Sequence, residues 1–91
     1  MRVTVELSLY PLERDAIDKI LRFIETVRAE PRLEVVVNQL STQLRGDLDV
    51  VMATLRAAIE RAFASGAPQA LVVKFLNADL PIAEPPVLER R

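Results

Sequence analysis

Residues 2–11 read Arg2-Val3-Thr4-Val5-Glu6-Leu7-Ser8-Leu9-Tyr10-Pro11, and the fold turns on how they alternate. Val3, Val5, Leu7 and Leu9 fall on one side. Thr4, Glu6, Ser8 and Tyr10 fall on the other. A period of two across so many residues predicts a strand with one packed face and one face free for other uses. Pro11 closes it, since proline cannot donate to a sheet ladder.

Working outward, the period then changes. Over 13–29, Ile17, Ile20, Leu21, Ile24 and Val27 recur at helical spacing. Asp15 with Lys19 and Asp18 with Arg22 are acid-before-base pairs four residues apart, which favour a helix slightly. Pro31 stops it. Residues 33–46 are rich in valine and leucine and too long for one ordinary strand, so they predict two strands, 33–38 and 41–46, turning at Gln39-Leu40. Val35, Val37 and Leu44 are expected to face the helices. Asp47 is placed to cap a second helix, whose stripe is Leu48, Val51, Met52, Leu55, Ile59, Ala62 and Phe63. Gly66 is the expected residue just past its end. Residues 70–77 supply a last strand. Residues 80–91 hold three prolines and read as an extended tail.

The order β-α-β-β-α-β, with right-handed crossovers, puts both helices on one face of a four-stranded antiparallel sheet. The expectation is an α+β, ferredoxin-like domain over 1–79, followed by the tail. Strands one and three should be central.

The totals narrow the function. The 91 residues carry a net charge of −1, with no cysteine and no histidine. Without a basic excess, nucleic-acid binding is not expected. Without cysteine, there is neither a disulfide framework nor a thiolate metal site. Without histidine, the commonest group for proton transfer near neutrality is missing, so catalysis is not expected. No cofactor, metal site or membrane insertion is expected either, and a cytoplasmic location is the simplest reading. A thin core with 51% apolar residues suggests a homodimer or homotetramer.

Chemistry is left to the sheet face that the helices do not cover. Alternation puts Glu6, Ser8, Tyr10 and Lys74 there, with Gln43 and Arg45, interleaved with Val72 and Leu76. Such a face can be solvated, can pack against a second sheet, or can hold a flat polar ligand. Glu6 can pair with Arg45 or Lys74, or can face a ligand amino group or cation. Tyr10 can pack the strand end or stack on a ring. Asn38, Ser41 and Thr42 can be plain turn residues or a cluster of neutral donors and acceptors.

Three segments carry a resemblance. Ser8-Leu9-Tyr10-Pro11-Leu12, Asn38-Gln39-Leu40-Ser41-Thr42-Gln43-Leu44-Arg45-Gly46-Asp47 and Lys74-Phe75-Leu76-Asn77-Ala78-Asp79 together resemble the YkoF-type thiamine and hydroxymethylpyrimidine binding proteins, over roughly residues 3–79. The resemblance implies a ferredoxin-like fold whose sheets associate. It also implies a non-enzymatic binder of thiamine or its pyrimidine, linked to uptake or salvage. On that analogy Ser8, Asn38, Ser41, Thr42 and Tyr10 would contact the ligand. Glu6 joins them from alternation alone, as a carboxylate to face a thiazolium cation. The competing expectation is an oligomeric regulatory module whose open face is a subunit interface.

Overall fold

A computed structural model describes residues 1–12 and 14–88. The elements are β1 (Arg2–Pro11), α1 (Ala16–Arg28), β2 (Glu34–Val37), β3 (Thr42–Asp47), α2 (Leu48–Phe63) and β4 (Gln69–Leu76). The sheet order is β2-β3-β1-β4, and each neighbouring pair is antiparallel. This is the ferredoxin-like arrangement, with β1 and β3 central and both helices on one face.

The alternation of β1 decides where the core sits. Val3, Val5, Leu7 and Leu9 are all buried, and Leu44 of β3 stands opposite Val5. The helices contribute Phe23, Val27, Val51, Leu55 and Ala58. In α1 the buried stripe is therefore rotated from the one read in the sequence. Phe23 and Val27 are buried, whereas Ile17 and Leu21 are 73% and 51% exposed. Residues 20, 23, 24 and 27 share a face at helical spacing, and the bulky Phe23 turns that face inward. In α2 the same happens on a smaller scale: Ala58 is buried while Met52 and Phe63 stay largely exposed. Helix α1 starts at Ala16, and Glu13, where a helix was expected to begin, lies outside the described residues.

Two details differ from expectation. Asp47 precedes α2 but makes no side-chain cap. Its carboxylate instead lies 3.8 Å from the Met1 ammonium, and the Leu48 N–H donates to the Met1 carbonyl at 2.9 Å. The start of the chain thus takes over one of the free amide donors of the helix. Val37 shares the helix-facing side of β2 with Val35, yet it is 45% exposed because it lies at the strand's end. Gly66 does adopt a left-handed conformation (φ 76°) after α2.

Gly46 is needed for space rather than for backbone freedom. It sits opposite Val3 on the packed side of β3, where a Cβ would collide with Leu33 Cδ2 and lie 3.3 Å from the Arg32 carbonyl. Gly46→Ala is expected to destabilise the fold by about 1–3 kcal/mol, the usual cost of forcing volume into a packed site. Urea denaturation checks this, and a change within experimental error would show that Leu33 moves aside freely.

The chain after β4 returns over the sheet. The Thr4 hydroxyl donates to the Ala78 carbonyl at 2.7 Å and accepts from the Leu80 N–H at 2.9 Å. Arg45 donates to the Leu80 carbonyl at 2.8 Å, and Asp79 lies 3.3 Å from Arg2 and 3.7 Å from Arg45. Residues 78–80 therefore cover one end of the helix-free face, and Thr4 is buried beneath them. Leu80 is thus tied to the sheet through both its N–H and its carbonyl.

Candidate ligand-binding site

The helix-free face is covered at the Thr4 end and open at the Tyr10 end. The open end owes its shape to the tight turn between β2 and β3. Asn38 N–H donates to the Ser41 carbonyl at 2.9 Å and closes the turn. Two side-chain bonds then fasten the turn to β1. Ser8 Oγ donates to the Leu40 carbonyl at 3.3 Å, and Ser41 Oγ donates to Glu6 Oε2 at 3.0 Å.

The other Glu6 oxygen faces Lys74 of β4, at 3.2 Å. This pairing follows from register, since Glu6 stands directly opposite Lys74. The Lys74 hydrogen bond, then the Ser41 hydrogen bond, then the lysine charge hold the Glu6 carboxyl below the usual range. Glu6 therefore remains an anion throughout the neutral range. Arg45 does not reach it. That guanidinium pairs with Glu34, 3.1 Å away, and with Asp79.

Around this carboxylate lies a recess of about 240 Å³, walled by Ser8, Tyr10, Leu40, Ser41 and Val72. A second recess of about 340 Å³ lies on the other side of the turn, towards α1. Asn38 and Thr42 line it, above Leu9, Ile20 and Phe23, while Ser8, Tyr10 and Ser41 line both. Tyr10 is half exposed between them. Of the six residues singled out in the sequence, Glu6, Ser8, Tyr10 and Ser41 thus share the open-face recess. Asn38 and Thr42 do not.

Thr42 needs a correction of face. It stands opposite Leu7, on the side with the helices, and is only 4% exposed. Grouping it with the hydroxyls of the open face overlooked its parity with Leu44. Residues two apart on a strand share a face, so an inward Leu44 requires an inward Thr42. Two further walls lie outside the six residues, Val72 and Leu40. Val72 follows from its place opposite Ser8. Leu40, which is 91% exposed, carries a weaker signal, an apolar side chain in an otherwise polar turn.

The site holds one fixed anion, hydroxyls, an amide and one aromatic ring. Among the described residues no group of His, Cys, Asp and Glu is arranged to hold a metal ion. Among the described residues no helix is long and apolar enough to cross a membrane.

Solved structures share this arrangement. Protein SP2199 from Streptococcus pneumoniae is 24% identical, with a TM-score of 0.79, over 88% of this chain and 90% of that one. The hypothetical protein MJ1052 from Methanocaldococcus jannaschii is 22% identical, with a TM-score of 0.75, over 86% and 81%. The Thermotoga maritima protein TM0486, whose proposed role is thiamine biosynthesis or salvage, is 18% identical, with a TM-score of 0.74, over 96% and 91%. At such identities these structures share the fold. No curated protein matches the sequence. The family comparison is more specific: residues 2–78 match the YKOF-related family. With residues 2–78 of the 91 covered, the protein belongs to the YKOF-related family.

Proposed function

We propose that this protein binds thiamine or its hydroxymethylpyrimidine moiety without transforming it, in support of vitamin uptake or salvage. The observation that carries the reading is the Glu6 carboxylate, kept ionised by Lys74 and Ser41 at the floor of a recess walled by Tyr10. A thiazolium cation is stabilised by a fixed anion and by an aromatic face. The neutral aminopyrimidine wants amide and hydroxyl groups, which Asn38, Ser41 and Thr42 supply in the neighbouring recess. The two recesses meet along Ser8, Tyr10 and Ser41, so one ligand with a charged and a neutral ring can lie across both. A carboxyl held below its ordinary range suits a permanent charge and does not suit proton transfer near neutrality. That favours binding over catalysis. The protein acts in the cytoplasm, as a homodimer or homotetramer.

A second reading has its own observation. Val72 and Leu76 project from β4 on the helix-free side and are 53% and 44% exposed. On this reading the open face is a subunit interface of a regulatory module, and the recesses close on assembly. Calorimetric titration of the native assembly with thiamine and with free hydroxymethylpyrimidine separates the two. Saturable binding of either compound supports the first reading. Silence towards both, at millimolar ligand, leaves the second.

The state of Glu6 can be tested without any ligand. Its carboxyl is depressed in the folded chain, so the stabilisation from its pair is present above the ordinary carboxylate range and lost as pH falls through the folded value. Carbon-detected NMR is expected to show Glu6 titrating at lower pH than an ordinary glutamate. Lys74→Met should move it back up. A Glu6 midpoint unaffected by Lys74→Met would show that the 3.2 Å pair does not persist in solution.

A further inference from the structure

Helices α1 and α2 enclose a third recess, of about 230 Å³, on the other side of the molecule from Glu6. Three cations line it: Lys19 and Arg22 from α1, and Arg61 from α2. Among the described residues no carboxylate lines it, although the chain as a whole carries a net charge of −1. The cations therefore gather by placement and not by excess. Arg22 makes no ion pair among the described residues, although Asp18 lies one turn away on the same helix. Arg61 reaches across to α1, where its Nη1 approaches Thr26 Oγ1 at 3.5 Å. Thr26 in turn donates to the Arg22 carbonyl at 3.0 Å. This spends the hydroxyl proton, so donors into the recess come from the Arg22 and Arg61 guanidinium groups. The floor is apolar, made by Phe23, Ala58 and Ala62.

We propose that this recess is a second binding site, for a small organic molecule carrying a doubly charged oxyanion group. Arg22 and Arg61 offer forked donors that match the geometry of phosphate and carboxylate oxygens. The apolar floor receives the carbon skeleton. The volume suits a metabolite and is too confined for a polymer backbone, and no exposed aromatic lines it for a base to stack upon. Phe23 lines both this recess and the Asn38 recess. The proposal does not depend on the thiamine reading.

The test is a nitrogen-15 NMR titration of the full chain with glycerol phosphate and with succinate, using glycerol at matched ionic strength as the neutral control. Saturable shifts confined to residues 19–26 and 58–65, seen with either anion and not with glycerol, are expected. A response to glycerol phosphate alone names a phosphate ester as the ligand class; a response to succinate alone names a dicarboxylate. Arg22→Gln combined with Arg61→Gln should weaken binding about tenfold or more. The single Arg22→Gln change, which breaks no ion pair, should show part of that loss if the double variant proves unstable. Arg32→Gln with Arg56→Gln, which alters cations already paired with Glu30 and Glu60, should change nothing. Shifts that never saturate, that spread to Arg32 and Arg56, or that survive in folded Arg22 and Arg61 variants would overturn the proposal.

Discussion

Glu6→Gln is expected to weaken thiamine binding by about tenfold or more, while leaving the affinity for free hydroxymethylpyrimidine nearly unchanged. The substitution keeps an oxygen for the Ser41 hydroxyl and keeps the volume of the side chain. It removes only the negative charge, and it leaves Lys74 unopposed 3.2 Å from where that charge lay. A cationic ring would then meet a like charge instead of a counter-ion, whereas a neutral pyrimidine would meet neither. Lys74→Met should act in the opposite direction. Lys74 is largely exposed and occupies the position of a cation already, so a thiazolium must compete with it for the carboxylate. Its removal is expected to tighten thiamine binding and to weaken the salt dependence of that binding. Calorimetry with both compounds on the three proteins decides the matter. Equal losses for thiamine and the pyrimidine would mean that Glu6 shapes the recess and does not read charge. No loss for either would move the ligand away from the helix-free face.

Leu44→Ala is expected to cost about 3 kcal/mol, within the range seen when a leucine is truncated in a closed core. Leu44 is fully buried on β3, a central strand, and packs on the helix side opposite Val5 and Val35. For a domain of this size each kcal/mol lowers the melting temperature by about 4–8 °C, so a fall of roughly 10–25 °C is expected. Leu40→Ala gives the contrast. The same chemical change at a 91% exposed position should stay within about 0.5 kcal/mol, although Leu40 walls the open recess. Thermal denaturation of the two variants side by side checks both. A loss below about 1 kcal/mol at Leu44 would contradict the packing described here, because no close-packed interior accepts such a void so cheaply.

Local pattern carried most of the fold. The alternation of residues 2–11, the helical spacing on either side of the β2–β3 hairpin and the position of Pro31 each depend on a residue and its near neighbours. They remain legible without knowing what packs against them. The face of β1 was legible for the same reason: once Leu7 is inside, Glu6, Ser8 and Tyr10 must be outside. Glu6 facing Lys74 was a near consequence, needing only the register of two adjacent strands.

What the pattern left open were matters of phase and of return. Phe23 turned inward in α1 because its bulk fits under the helix pair, and a periodic stripe does not weigh bulk. Gly46 leaves a gap that Leu33 fills, a contact between positions the sequence separates. Thr42 went astray because its hydroxyl drew attention to chemistry while its parity with Leu44 spoke for burial.

From the amino-acid sequence alone came the element order, the side of each strand that packs, and the one sheet face left for function, since these rest on interactions among residues close along the chain. Tertiary structure alone decided that residues 78–80 fold back over Thr4, that Asn38 and Thr42 serve a different recess from Glu6, and that Arg22 and Arg61 line one recess between two helices. Each of these depends on distant segments arriving at the same place, and the energy that brings them together lies in packing that no local pattern records.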